Sequence, residues 1–218
     1  MFRLNDFFHL PQLDPWIQQL THIQPGLILV AGMDQRPGGG TLETILPSGR
    51  GAIFHILLDE ILSNQPATRG VIITQDRNSF RLPREHARKF TFSEINRSQT
   101  YSDHLTAAAH AKSKLLILDR LTPEALSSTL EAARGKRVLA QLDTIFWGAR
   151  ILRHFLDLGA RYEQLAGIDW IVTVQRMPTL CPNCKQLYAP TNEQIEKLQT
   201  LLPDLDTVGF SHAQGCPQ

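Results

Sequence analysis

Thr44-Ile45-Leu46-Pro47-Ser48-Gly49-Arg50-Gly51 stands where an apolar strand-like run hands over to a helical one, a place suited to phosphate chemistry. A phosphate-binding loop has the pattern G-x-x-x-x-G-K-[ST]. Its glycines let backbone N–H groups approach the phosphates, its lysine reaches the β and γ oxygens, and its hydroxyl holds Mg²⁺. The context is present: GLILVAG at 26–32, then Gly38-Gly39-Gly40, then IFHILLDEIL at 53–62. The motif is degenerate. Gly49 is retained, Arg50 takes the lysine position, Gly51 takes the hydroxyl position, and Pro47 removes a backbone donor. Arg50 keeps the ability to grip a phosphate through two parallel bonds. Ser48, Gly49, Arg50 and Gly51 are therefore candidate nucleotide-binding residues of a defective loop that is not expected to hold ATP and Mg²⁺ productively. A glycine-rich connection with no ligand is the alternative.

A second chemistry is carried by cysteine. Cys181-Pro182-Asn183-Cys184 has the C-x-x-C spacing, which in a chain of this size reads as metal ligation rather than a disulfide framework. The histidines are scattered, and His55, on the helix after the loop, is expected to be packed. Trp147 and Trp170 are expected in the core. The basic stretch 77–97 is either a docking face or a solvated loop.

The elements that must position these residues alternate. A helix is expected at 11–24, with Leu13, Trp16, Ile17 and Leu20 on one face. GLILVAG is a buried strand, followed by a loop to 51 and a helix from Ala52. VIIT at 71–74 is a strand; 77–101 is polar and irregular, with Phe80, Phe90 and Phe92 at strand-like spacing. A helix over 102–112, strand LLIL at 115–118 ending in Asp119, and a helix capped by Thr122 with Pro123 behind it come next. Strand VLAQL at 138–142, a helix at 146–157 stopped by Gly159, a strand at 168–174 and a short amphipathic helix at 191–202 complete the pattern. Repeated strand–helix units predict a parallel sheet covered on both faces.

A length of 218 residues suits one large domain, or one with a small appendage. Net charge is +1 with acids and bases interspersed, which argues against non-specific binding to nucleic acid or acidic lipid. The longest apolar runs have strand length, far short of the roughly 20 residues of a membrane span. No apolar segment follows Arg3 and Asp6, so no secretory signal is read. The cytoplasm is the expected compartment, with no membrane insertion.

Taken in order, the blocks resemble the C-terminal motor domain of the type II secretion and type IV pilus assembly ATPases, the secretion-superfamily hexameric motors. GLILVAG and LLDEIL resemble the elements around that family's phosphate loop, and ITQDR at 73–77 its aspartate box. LLILDRLTPEA at 115–125 is similar to the Walker B region, and EAARGKRVLAQLDT at 131–144 to the histidine-box strand. FLDLGA, VQRM and LCPNCKQLYAPT follow in the family's order. The departures are concentrated at the chemistry. Gln75-Asp76 replaces an acidic pair, Leu118-Asp119 replaces Gly-Glu, Asp143 stands for the phosphate-sensing histidine, and Lys136 replaces another histidine. The stretch 102–114 lacks the family's arginines.

The resemblance implies an α/β RecA-like P-loop NTPase fold with a predominantly parallel sheet over residues 1–178, and a small cysteine-containing subdomain over 179–218. Asp119, Asp76 and Asp143 become vestigial catalytic positions. Because phosphoryl transfer depends on positioning and charge, losing the lysine, hydroxyl and histidine together predicts a pseudo-ATPase. It would bind and modulate, in the simplest case inhibit, an active pilus or secretion motor ATPase, or dock on its inner-membrane platform proteins. A weakly active ATPase using Arg50 and Asp119, and a structural subunit of a mixed hexamer, are the alternatives. The family's zinc-binding tetracysteine has a second C-x-x-C, which Cys216 begins and whose last ligand would fall one residue past Gln218. Zinc held by Cys181, Cys184 and Cys216 needs that ligand or His212 to close a four-coordinate site; inert thiols are the other reading.

Overall fold

Strand β1, Gly26–Gly32, is buried at all seven positions. Only a strand paired on both sides and covered by helices on both faces achieves this. The computed structural model describes residues 14–34, 47–80, 82, 84–96, 98–176, 181, 183–199 and 210–213. Helix α1, Asp14–Thr21, precedes β1. After it come α2 (Arg50–Asn64), β2 (Gly70–Thr74), a 3-10 turn at Arg77–Ser79, α3 (Arg84–Ala87) and β3 (Phe90–Glu94). The chain continues through α4 (Tyr101–Ala109), β4 (Leu115–Leu118), a 3-10 turn at Pro123–Ala125 and α5 (Leu126–Ala133). Strand β5 (Arg137–Asp143), α6 (Ala149–Asp157), α7 (Tyr162–Leu165) and β6 (Ile168–Thr173) close this unit, which spans Met1–Arg176.

The six strands run in the order β3-β2-β4-β5-β1-β6, and every pairing is parallel. All carboxyl ends therefore lie along one edge, the usual place for a site in an open α/β sheet. Strand β5 separates β1 from β4, so the loops leaving these three strands are neighbours. Alternation splits β1 between two cores. Leu27, Leu29 and Ala31 face α4, α5 and α6 through Leu105, Leu130 and Phe155. Ile28 and Val30 face α1 and α2, where Ile53, Phe54, Leu57, Leu58, Ile61 and Leu62 recur at helical spacing. Each of those six side chains contributes roughly 1.5–3 kcal/mol by leaving water.

Several expectations are corrected. The stretch 77–101 is not irregular: β3 is a five-residue edge strand, and Phe90 and Phe92 pack inward on alternate positions. Inside it, the Arg77 guanidinium carbon lies 4.8 Å from the centre of the Phe92 ring. Trp147 is 49% exposed, because it sits on the loop before α6 rather than on the helix. Trp170 is half-buried, edge-on to Trp16 at 5.7 Å between ring centres. Thr122 has the extended backbone of a cap, but its hydroxyl makes no cap bond and is buried without a partner. Gly159, at φ +94°, ends α6 as expected, and Ala160 N–H closes back onto Phe155 O at 2.9 Å. His55 is packed between the Phe54 and Phe80 rings, and burial lowers its pKa.

Residues Met177–Gln218 form the second unit. Here β7 (Lys185–Leu187) pairs antiparallel with β8 (Ser211–Ala213), and α8 (Asn192–Gln199) lies between them in sequence. Leu13 and residues 200–202, included in the expected helices, lie outside the described residues. Among the described residues no helix is long and apolar enough to cross a membrane.

At the opposite edge of the sheet, the side chain of Arg137 opens β5 with no exposure to solvent. Its Nη1 donates to Asp169 Oδ2 at 2.6 Å, and its Nη2 donates to His22 O at 2.8 Å. A buried guanidinium without its counter-charge is costly, so Asp169→Ala is expected to lower unfolding free energy by about 3 kcal/mol. Urea denaturation of the two proteins checks this.

Candidate functional site

The end of β1 and the start of α2 are pressed together. A Cβ on Gly32 would stand 2.6 Å from Ser48 Oγ and 2.7 Å from Val174 O, so only glycine fits there. Gly49 adopts φ +87° as the residue before α2, a conformation that favours glycine. In the space so formed, Ser48 N–H and Ser48 Oγ–H both donate to Asp34 Oδ1, at 2.8 and 2.6 Å. Ser48 Oγ in turn accepts from Arg50 N–H at 3.1 Å, satisfying a donor of the first helical turn.

Arg50, the lysine-position residue, is paired within the chain. Its side chain is 11% exposed. Nη2 lies 3.3 Å from Asp34 Oδ2, and Nη1 lies 3.3 Å from Asp143 Oδ1. Nη1 also donates to Gly32 O at 2.9 Å, and Nε donates to Gln141 Oε1 at 3.3 Å. Asp143 reaches this point because the β1–β5 register pairs it with Gly32, and its Oδ1 also accepts from Asp34 N–H at 3.1 Å. One guanidinium thus answers two carboxylates, so its positive charge is already paired within the chain where a phosphate-binding site needs it free. Gly51 is not sterically required: a Cβ there would meet only Gln141 Oε1, at 3.9 Å.

Asp119 follows β4 on the same edge and belongs to a separate cluster. Oδ2 accepts from Thr74 Oγ1–H at 2.6 Å and from Gln75 N–H at 2.9 Å, and Oδ1 accepts from Tyr101 O–H at 2.5 Å. Three of the roughly four acceptor positions of the carboxylate are taken by protein donors. Asp119 therefore joins the ends of β2 and β4 to α4. Asp76 turns the chain after β2, its Oδ1 accepting from Asn78 N–H at 2.9 Å. The Gln141 backbone carbonyl accepts from the N–H of Leu121, two residues after Asp119, at 2.7 Å.

The structure brings Ser48, Gly49, Arg50, Gly51 and Asp143 together, and gathers Asp119 and Asp76 around Thr74. Lys136 lies apart, at the amino-terminal end of β5, where Nζ donates to Ala111 O and to Ser113 O. Sequence reasoning missed Asp34, Gln141, Tyr101 and Thr74. The available signal was a carboxylate two residues beyond β1, close enough to fold back on the loop. Arg176 was also missed; its Nε lies 3.5 Å from where a Cβ on Gly49 would stand.

In the second unit, Cys181 and Cys184 are half-buried. The pairing of Lys185 with Ala213 puts Cys184 at the end of the ribbon from which the chain runs on towards Cys216. Cys216 itself, and the side chain of His212, lie outside the described residues.

No family model matches the chain. No curated protein matches it in sequence. Solved structures do match its fold. The ATPase DotB of Legionella pneumophila superimposes with a TM-score of 0.52 at 17% identity, over 86% of this chain and 47% of that one. The VirB11 ATPase of the Brucella suis type IV secretion system gives 0.50 at 15% identity, over 87% and 49%. The pilus retraction motor PilT gives 0.56 at 18% identity, over 88% and 56%. The chain thus has the α/β RecA-like P-loop NTPase fold with a parallel sheet, and spans about half the length of the structures it matches.

Burial and the bond to Asp119 raise the pKa of Tyr101 above its ordinary value of about 10. A phenol whose folded pKa is raised contributes stability that is fully present below the unfolded value and lost as pH climbs past it. Stability is therefore expected to fall above about pH 10 in part through Tyr101. Tyr101→Phe should flatten that alkaline limb and cost about 1.5–3 kcal/mol at neutral pH, the range for a bond to a charged acceptor. Denaturation across pH, with ultraviolet difference titration of the phenol, measures both.

Proposed function

We propose that this chain is a non-hydrolysing version of a secretion or pilus motor domain, which acts by binding rather than by turnover. The observation that carries the reading is the pairing of Arg50 with Asp34 and Asp143. The side chain at the lysine position of the phosphate loop is already neutralised from within. Gly51 supplies no hydroxyl for Mg²⁺, and the Asp119 carboxylate is held by Thr74, Gln75 and Tyr101 rather than free to orient a water. Positioned charge supplies most of the catalysis of phosphoryl transfer, and each of these arrangements withdraws some of it.

A packed scaffold with a closed site suits a partner-binding role. The proposed partner is an active motor ATPase of a pilus or secretion system, or the inner-membrane platform proteins on which such a motor works. The proposed effect is inhibition, and the proposed compartment is the cytoplasm. We assign residues 179–218 a structural zinc, with Cys181, Cys184 and Cys216 as ligands. Three thiols at this spacing are a fitting donor set, and Lys185, which follows Cys184, is paired with Ala213, three residues before Cys216 in sequence. Zinc there would tie the ribbon together; His212 or a residue beyond Gln218 would supply the fourth ligand.

Calorimetry with ATP and Mg²⁺ tests the main reading. No binding tighter than about 100 μM, roughly −5.5 kcal/mol, is expected, and no turnover. Tighter binding, with turnover abolished by Asp119→Ala, would overturn it. Added to an active motor ATPase, the chain should lower that enzyme's turnover, and an unchanged rate would remove the inhibitory role. Elemental analysis should find about one zinc per chain, lost in Cys181→Ser/Cys184→Ser; metal-free folded protein would contradict the zinc assignment.

A further inference from the structure

We propose that Asp34 is a built-in anion: its carboxylate holds the place in front of α2 that a phosphate group would take, and so closes the loop against phosphate-class ligands. This rests on the reading of the site as non-hydrolysing and deepens it, by naming the contact that keeps the site shut. The donors that Asp34 satisfies are those a phosphate oxygen seeks at such a loop: a backbone N–H, a hydroxyl and a guanidinium. The hydroxyl is doubly engaged, since Ser48 Oγ donates to Asp34 while accepting from Arg50 N–H. The contact is thereby tied to the first turn of a 15-residue helix.

Two further features make this contact a closure rather than a surface ion pair. Gly32 has no room for a side chain, so β1, Ser48 and Val174 O meet tightly and the loop residue two positions on is delivered back onto Ser48. Asp143 then shares Arg50 and accepts from the Asp34 N–H, bracing the same carboxylate-bearing residue from β5. Because Asp34 is attached to the chain, it competes with a free anion at an effective concentration on the order of millimolar or above. Removing the Asp34 charge leaves Arg50 against one carboxylate, and removing Asp143 as well leaves it unopposed, with Arg176 beside Gly49.

Charge thus predicts an order. Inorganic phosphate is titrated calorimetrically at low ionic strength into the full chain, Asp34→Asn and Asp34→Asn/Asp143→Asn, with thermal unfolding in parallel. The parent should show no saturable binding. Asp34→Asn should gain saturable binding and a phosphate-dependent rise in Tm, and the double variant should bind about tenfold tighter again, equivalent to ~1.4 kcal/mol. Adding Arg50→Gln should abolish the gain. Folded variants that gain no phosphate affinity, or a parent that binds as well as Asp34→Asn, would overturn the proposal. If the variants do not fold, the parent decides. Because Ser48 N–H also donates to Met33 O at 3.2 Å, the readout is a nuclear magnetic resonance coupling across the hydrogen bond from the Ser48 amide nitrogen to the Asp34 carboxyl carbon. That coupling should be present, and its absence would refute the contact. The two readings fail separately. Mg-ATP binding by the parent removes the functional reading, whereas variants indifferent to phosphate remove only the role of Asp34.

Discussion

A guanidinium withdrawn from water must have its charge answered nearby, and at Arg50 that requirement organises the end of the sheet. Five donors radiate from the group in a fixed fork. Here its three nitrogens meet Asp34, Asp143, Gln141 and the Gly32 carbonyl, which come from the loop after β1, from β5 and from β1 itself. The same side chain begins α2, so the helix, two central strands and the loop are fastened at one point. A lysine, with a single compact charge, could not satisfy these acceptors in one plane. The replacement at this position therefore alters what the loop is built around, beyond weakening a motif.

The parallel sheet makes such a point possible. Parallel strands bring their carboxyl ends to one edge, and the placing of β5 between β1 and β4 sets Gly32, Asp143 and Asp119 along neighbouring strand ends. In a phosphate-binding enzyme of this fold that edge is kept open and electropositive. Here two carboxylates turn inward on one arginine, and a third is enclosed by a tyrosine, a threonine and a backbone amide. The scaffold that would position reacting groups instead positions groups that satisfy each other. Such mutually satisfied groups fix the strand ends to one another.

How much of this was legible depended on the range of the interaction. Strands β1 and β4 are continuous apolar runs, and their burial follows from composition alone. Strand β3 was obscured because an edge strand buries only alternate residues and its flanks are charged. Trp147 misled because aromatic size says nothing about whether a residue lies on a helix or on the loop before it. Arg50, Asp143 and Asp119 stood out as substitutions at motif positions, but their partners did not. Asp34 meets Ser48 across 14 residues, hinted at only by its place two residues beyond β1, and Tyr101 meets Asp119 across 18 with no local pattern to encode it. The register pairing Gly32 with Asp143 exists only once the sheet has formed.

The central claim is that the start of α2 is occupied by the chain's own carboxylate and is closed to nucleotide. Backbone amide resonances of Ser48, Gly49, Arg50 and Gly51, followed by nuclear magnetic resonance during titration with Mg-ATP, test it most directly. The account predicts that these signals stay in place through millimolar nucleotide, on the order of the effective concentration of an attached competitor. Saturable shifts centred on Gly49 and Arg50 at micromolar nucleotide would contradict it.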